Sequence, residues 1–282
     1  MRNRTYISTL CFKGIPISKI LDKANNNNFN LEFSSGLPYD PNNINFFNNF
    51  NKNFKLLHNY FPAPKVPFVI NLASESKEIR ELSLTHCLKN IELSAKNKID
   101  FYSAHAGFCI DPQPDSLGKF IQIEKKFQRL QHIDIFLESL NKILTFAESL
   151  NVNFYIENNV ISKQNYIDNK NVNSFLCCDA EEINYVIKEI NRTNFGLLLD
   201  TAHLKVSSLT LGLEKEKEVE KILDNIKAIH HSDNDSKVDS NEPFDNGYWF
   251  LKFKKYFSLW DHVVEVKNID TNTINKQIEI LN

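Results

Sequence analysis

Glycine is scarce in this sequence, with seven in 282 residues. None falls in a G-x-x-x-x-G-K-[ST] loop or a G-x-G-x-x-G turn, which removes those two nucleotide-binding devices. A G-x-S-x-G nucleophile elbow is missing as well. The five cysteines (Cys11, Cys87, Cys109, Cys177 and Cys178) are odd in number and form no C-x-x-C pair. A disulfide framework is therefore not expected, and buried thiols in a reducing cytoplasm are. Cys177 and Cys178 are neighbours and cannot easily bridge each other. No run approaches the roughly 20 apolar residues of a membrane span. Met1-Arg2-Asn3-Arg4 is charged, but the apolar stretch behind it is broken by Lys13 and Gly14, so a secretory leader is not expected. A global basic field is lacking too: the net charge is −2 and the pI about 6.5. Nucleic acid is accordingly not an expected partner.

The chain does have core-forming residues, at 42% hydrophobic and 12% aromatic. It can fill one large α/β barrel, typically about 250 residues. The Asn25–Asn28 tract reads as loop filler inside a folded chain. Six apolar runs each finish on a histidine or an acid. They end at His58, His105, Glu157, Asp200, His230 and Glu265. Each is rich in β-formers and reads as a short buried strand. One polar strand end often just starts a turn. Six with metal-ligand chemistry favour a shared site at one face of a parallel barrel.

Strand-like and helix-like segments alternate throughout. Thr5–Cys11 and Leu31–Ser34 read as the first two strands, and helices are expected at 17–24 and 43–53. Ser74 is the expected cap of a helix reaching Lys96, with Glu75 and Glu78 in its first turn. Further helices are expected at 127–150, at 180–190 behind the cap Asp179, from Asp200 to Asn225, and near 271–281. The Lys/Phe run 250–257 reads as an amphipathic barrel helix rather than a nucleic-acid strip. Connections into strands are short, whereas those leaving them (59–73, 106–126, 158–178 and 231–247) are long. In a barrel the loops after strands build the active site, so elaboration falls on the face that carries the six polar ends. The expected fold is α/β, a single (β/α)8 TIM barrel spanning 1–282 as one domain.

Glu157, Asp200, His230 and Glu265 come from four successive expected strands. Carboxylates with one imidazole suit one divalent ion (Mn²⁺, Mg²⁺, Co²⁺ or Zn²⁺), and hard oxygens tilt the choice toward Mn²⁺ or Mg²⁺. His203 follows Asp200 at i+3, a spacing that can direct both side chains to one cavity, and a role in substrate or second-metal binding is expected for it. His58 and His105 extend the site, either to a second metal bridged by Glu157 or to a substrate hydroxyl. Side chains alternate along a strand, so only one of His230 and His231 faces inward; phase selects His230. His86, His132 and His262 read as structural.

Leu56-Leu57-His58, Ser103-Ala104-His105-Ala106-Gly107, Tyr155-Ile156-Glu157-Asn158-Asn159, Leu199-Asp200-Thr201-Ala202-His203, Ile229-His230-His231-Ser232-Asp233-Asn234, Asp239-Ser240-Asn241 and Val264-Glu265 together resemble the xylose-isomerase-like TIM barrel superfamily. That superfamily holds sugar isomerases and epimerases and the endonuclease IV-type apurinic endonucleases. In the epimerase branch, the resemblance implies that the positions of Glu157, Asp200, His230 and Glu265 hold one metal. It also implies that the two glutamates are the acid/base pair and that His203 meets a substrate hydroxyl. In the endonuclease branch it implies zinc at His58, His105 and Glu157, a second zinc at the quartet, and a third at His203 with an Asp-x-His. Here that last motif reads Asp239-Ser240-Asn241, so Asp239 remains and the final imidazole is gone.

The expected activity is a metal-dependent sugar or sugar-phosphate isomerase or epimerase, moving a proton next to a carbonyl through an enediolate. Loops 106–126 and 158–178 are the expected lids. The rivals are a zinc phosphodiesterase on abasic DNA, a dehydratase of a cyclic polyol, and a non-catalytic binding barrel. A small sugar is the expected partner, with no membrane, and a homo-oligomer is left open.

Overall fold

The computed structural model describes residues 4–51, 54–122, 126–166 and 172–282. Eight parallel strands close a barrel in chain order. They are β1 (Thr5–Ser8), β2 (Asn30–Phe33), β3 (Lys55–His58), β4 (Phe101–His105), β5 (Asn153–Glu157), β6 (Phe195–Asp200), β7 (Ile226–His231) and β8 (Asp261–Val264). Closure pairs β8 with β1, setting Thr5 opposite His262. The flanking helices are α1 (Ile17–Asn27), α2 (Asn43–Asn49), α3 (Lys77–Lys96), α4 (Arg129–Ser149), α5 (Ala180–Ile190), α6 (Thr201–Leu211), α7 (Lys215–Ile222) and α8 (Thr271–Leu281). Among the described residues, no helix is long and apolar enough to cross a membrane.

Strands covered on both faces read as continuous apolar runs, and β6 is buried at every position. The helices turn one apolar stripe inward. On α4, Ile133, Phe136, Leu140, Ile143, Leu144 and Ala147 are buried at helical spacing. All five cysteines are buried free thiols.

Several boundaries differ from the sequence-based expectation. β1 stops at Ser8, whose hydroxyl accepts from the Leu10 amide and starts a 3-10 turn, Thr9–Phe12. The Asn tract is the end of α1, and Asn28 closes it in the left-handed region at φ 56°. Asn tolerates that conformation, so the tract terminates a helix rather than filling a loop. α2 ends at Asn49; Lys52 and Asn53, expected in it, lie outside the described residues. α3 is capped by Ser76, not Ser74. Ser74 instead accepts from the Ser76 amide and donates to Asp111, bracing the preceding turn. The helix expected from Asp200 to Asn225 is two helices, parted at Gly212 (φ 71°). The Phe/Lys run forms a 3-10 helix, Trp249–Leu259.

The long loops gather at the strand C-termini. Gly107 is needed where the chain leaves β4, because a Cβ there would fall 2.5 Å from the Ala73 Cβ. Phe108 and Phe175 join the loops after β4 and β5 by an antiparallel bridge, with ring centroids 5.1 Å apart. These two segments contain the expected lids; residues 123–125 and 167–171 of them lie outside the described set.

Candidate metal centre

Strand register brings the polar strand ends together. His105 pairs across to Glu157, and Asp200 to His230. Glu265 follows β8 directly, its amide bonded to the His231 carbonyl. The strand-end residues therefore share one level of the barrel, at its C-terminal mouth.

Glu157 stands at the centre. Its Oε2 lies 3.2 Å from His58 Nε2 and 3.0 Å from His105 Nδ1. Its Oε1 lies 3.0 Å from His230 Nδ1 and 4.0 Å from His203 Nδ1. His230 Nδ1 is also 2.7 Å from Glu265 Oε2 and 4.0 Å from Asp200 Oδ2. Glu157, Asp200, His230 and Glu265 each offer a ligand atom within 4.8 Å of the others. His58, His105 and Glu157 form a second such group. His203 Nε2 lies 3.3 Å from Asp239 Oδ2. All eight residues singled out in the sequence thus meet in one connected cluster.

The neighbours of these residues orient them. Asp200 caps α6 through Oδ1, which accepts from the His203 amide, leaving Oδ2 toward the cluster. Asn158 accepts from the Asp200 amide and donates to its carbonyl, holding the strand end in place. The Asn158 carbonyl accepts from His203 Nδ1, which turns Nε2 to Asp239. Asn159 donates to the carbonyls of Ala106, Gly107 and Leu176, clasping two loops. His58 Nδ1 pairs with Ser103 Oγ at 2.9 Å, leaving Nε2 to Glu157.

The electrostatics follow from buried carboxylates facing imidazoles. Burial alone would raise the Glu157 carboxyl, but His105, His58 and His230 hold it well below the usual range. Burial, reinforced by Glu157, Asp239 and Glu265, pushes Asp200 up to about 7 against the pull of His203. Burial would lower His230 and His203. Glu265, Glu32 and Glu157 instead raise His230, while Asp200 and Asp239 raise His203.

The donors fit a divalent cation. Among the described residues, Glu157 Oε2, Asp200 Oδ2 and His105 Nδ1 are buried without a hydrogen-bond partner. Glu157 Oε2 and His105 Nδ1 are 3.0 Å apart without hydrogen-bond geometry, an arrangement that a shared cation would satisfy. Three carboxylates and an imidazole suit a hard or borderline ion.

The sequence reading missed Glu32. It is fully buried on β2, with Oε2 2.9 Å from His230 Nε2. Ser103 and Asn158, which orient ligands, were quoted only as parts of motifs. Three histidines read as structural are so: His86 contacts the Asn59 carbonyl, His132 that of Ala73, and His262 that of Phe257. Asn241, standing where a third-site imidazole would be, contacts Ser232 instead.

A cavity of about 230 Å³ opens against His105, His203 and Asp239. Its far wall is mostly apolar, with Val69, Phe108, Ile121 and Phe175.

A family model described as xylose isomerase-like TIM barrel matches residues 37–263. One curated relative is "Probable endonuclease 4" of Sulfurihydrogenibium sp. (strain YO3AOP1), 24% identical over 201 residues. That match covers 67% of this chain and 63% of the relative, so the chain spans under two thirds of that protein's length. Among solved structures, a D-tagatose 3-epimerase-like protein superposes with TM-score 0.72 at 19% identity, covering 100% of this chain and 96% of the other. A D-psicose 3-epimerase from Clostridium cellulolyticum H10, solved with D-tagatose, gives TM-score 0.66 at 14% identity over 99% and 89%.

Proposed function

The chain belongs to the xylose isomerase-like TIM barrel family, and from that premise we propose that it is a divalent-metal-dependent isomerase or epimerase of a small sugar or sugar phosphate. The observation that carries this reading is the convergence of Glu157, Asp200, His230 and Glu265 within 4.8 Å. These four would hold a divalent cation, which would supply Lewis-acid polarisation at a carbonyl and its neighbouring hydroxyl. The remaining work falls to the chain's own side chains. Glu157, kept ionised by its three imidazoles, accepts a proton at a carboxylate oxygen. Glu265, on the neighbouring side of His230, is the second proton carrier. His203 and Asp239, at the cavity wall, suit a sugar hydroxyl. The apolar far wall excludes water from the carbon chain.

Solvent deuterium entry into a panel of ketoses and ketose phosphates, with Mn²⁺-loaded protein, tests the proposal. Incorporation that disappears in E157Q and E265Q is the expected result. No incorporation across the panel contradicts it.

The second donor group favours one rival, a zinc phosphodiesterase. His58 and His105 share Glu157 as a bridge would, and the curated relative carries an endonuclease name. The small volume of the cavity, about 230 Å³, and the Asn241 position weigh against it. Two zinc ions per chain with cleavage of an abasic duplex would select this rival; one metal with deuterium exchange selects the isomerase.

A further inference from the structure

Glu32 is an unusual residue for its place. It lies on β2 between the core residues Leu31 and Phe33, and its exposure is 0%. A carboxylate in such surroundings is costly unless it is paired. Among the described residues, its one ion pair is with His230: Oε2 sits 2.9 Å from Nε2 in hydrogen-bond geometry. Its Oε1 has no hydrogen-bond partner there.

The other nitrogen of the same ring does different work. Nδ1 of His230 faces Glu265 at 2.7 Å, Glu157 at 3.0 Å and Asp200 at 4.0 Å. A neutral imidazole carries one N–H donor and one lone pair. If Nε2 holds the hydrogen, the lone pair points at the three carboxylates. A histidine ligand is commonly fixed in this way by a carboxylate on its far nitrogen. The His58 ring packs edge-on against His230, with centroids 4.7 Å apart and planes at 75°, which limits ring rotation.

We propose that Glu32 is a positioning residue: it accepts the Nε2–H of His230 and so presents Nδ1 as the ligand atom to the Glu157, Asp200 and Glu265 group. Glu32, His58 and His230 could themselves form a donor set. The two arrangements exclude each other, because Nε2 cannot both donate to Glu32 and bind an ion. Both ring nitrogens lie in hydrogen-bond geometry with a carboxylate, Nε2 with Glu32 at 2.9 Å and Nδ1 with Glu157 at 3.0 Å, and the larger donor set, four residues against three, selects the first. This inference rests on the metal-centre reading above.

The test titrates metal-free wild type, E32Q and E32L with Co²⁺, following calorimetry and visible absorption, beside the thermal midpoint without metal. Gln retains an acceptor of the same length, and Leu removes it. The expected order is wild type, then E32Q about tenfold weaker, then E32L about a hundredfold weaker. The midpoint of metal-free E32L reports separately on the fold, because removing one partner of a buried pair lowers stability. A residue that only supported the fold would lower that midpoint and leave Co²⁺ affinity alone. Equal Co²⁺ affinity in all three proteins overturns the inference. Absence of Co²⁺ binding by the wild type sinks the metal-centre reading, and this one with it. Should E32L fail to fold, ¹⁵N spectra of the Zn²⁺-loaded wild type decide: Nε2 protonated and Nδ1 metal-bound supports the inference, and the reverse refutes it.

Discussion

His230 and His231 are neighbours on β7, equally buried, and face opposite layers of the molecule. Inside the barrel mouth, His230 meets Glu32, Glu157 and Glu265, which hold its pKa well above the usual value despite burial. Outside, His231 stacks on His262 (5.1 Å, 24°) among Tyr248, Phe250 and Phe257. Burial there, with the neighbouring His262 and His230, pushes it well below. The strand's two-residue period alone assigns the two fates. Identical chemistry becomes a candidate metal ligand or a packing element according to which side of the sheet receives it.

The comparison breaks most severely from the inner side. E157Q removes the carboxylate that both donor groups share, so Mn²⁺ affinity measured by calorimetry should fall by on the order of a hundredfold or more. The outer side should respond with the reverse pattern. H231L leaves His262 Nδ1 without its partner and takes one of two from the Tyr248 hydroxyl, which keeps Thr201. Urea unfolding should report a loss of about 1–3 kcal/mol, while metal affinity stays near that of the wild type. A loss of metal binding in H231L with unchanged stability would erase the distinction between the two faces.

H58A with H105A sharpens the inner half. The pair removes the second donor group and leaves the quartet whole. Elemental analysis should show at most one metal per chain in that variant, with quartet affinity lowered by less than about tenfold. Total loss of metal would show that the two groups are one site.

The smallest effect concerns pH on the outer face. His262 is held below its usual 6.5 by burial. As pH falls past 6.5 the unfolded chain takes up a proton before the folded chain does, so folding stability drops on acidification. H262Q lacks that contribution. Its stability deficit against wild type should therefore shrink between pH 7 and pH 5; a deficit that widens would contradict the sign.

Most of the centre was legible because barrel strands deliver function at their ends. His58, His105, Glu157 and Asp200 each terminate a strand, His230 stands one residue before the end of β7, and Glu265 follows β8. Glu32 was hidden because its run, Leu31-Glu32-Phe33-Ser34, finishes on neither a histidine nor an acid. The available signal was an acid flanked by apolar residues in a strand covered on both faces, where water cannot reach it. Helix boundaries were less legible. Ser74 and Ser76 both carry capping chemistry, and only the tertiary contact of Ser74 with Asp111 separates a turn brace from a cap. The break between α6 and α7 had its signal in Gly212, whose φ of 71° ends the first helix.

Anomalous diffraction at the manganese edge, from crystals grown with Mn²⁺, tests the shared centre most directly. The account predicts a peak within coordination distance of Glu157, Asp200, His230 and Glu265 together. Manganese bound elsewhere, or held by only one of the four, would contradict it.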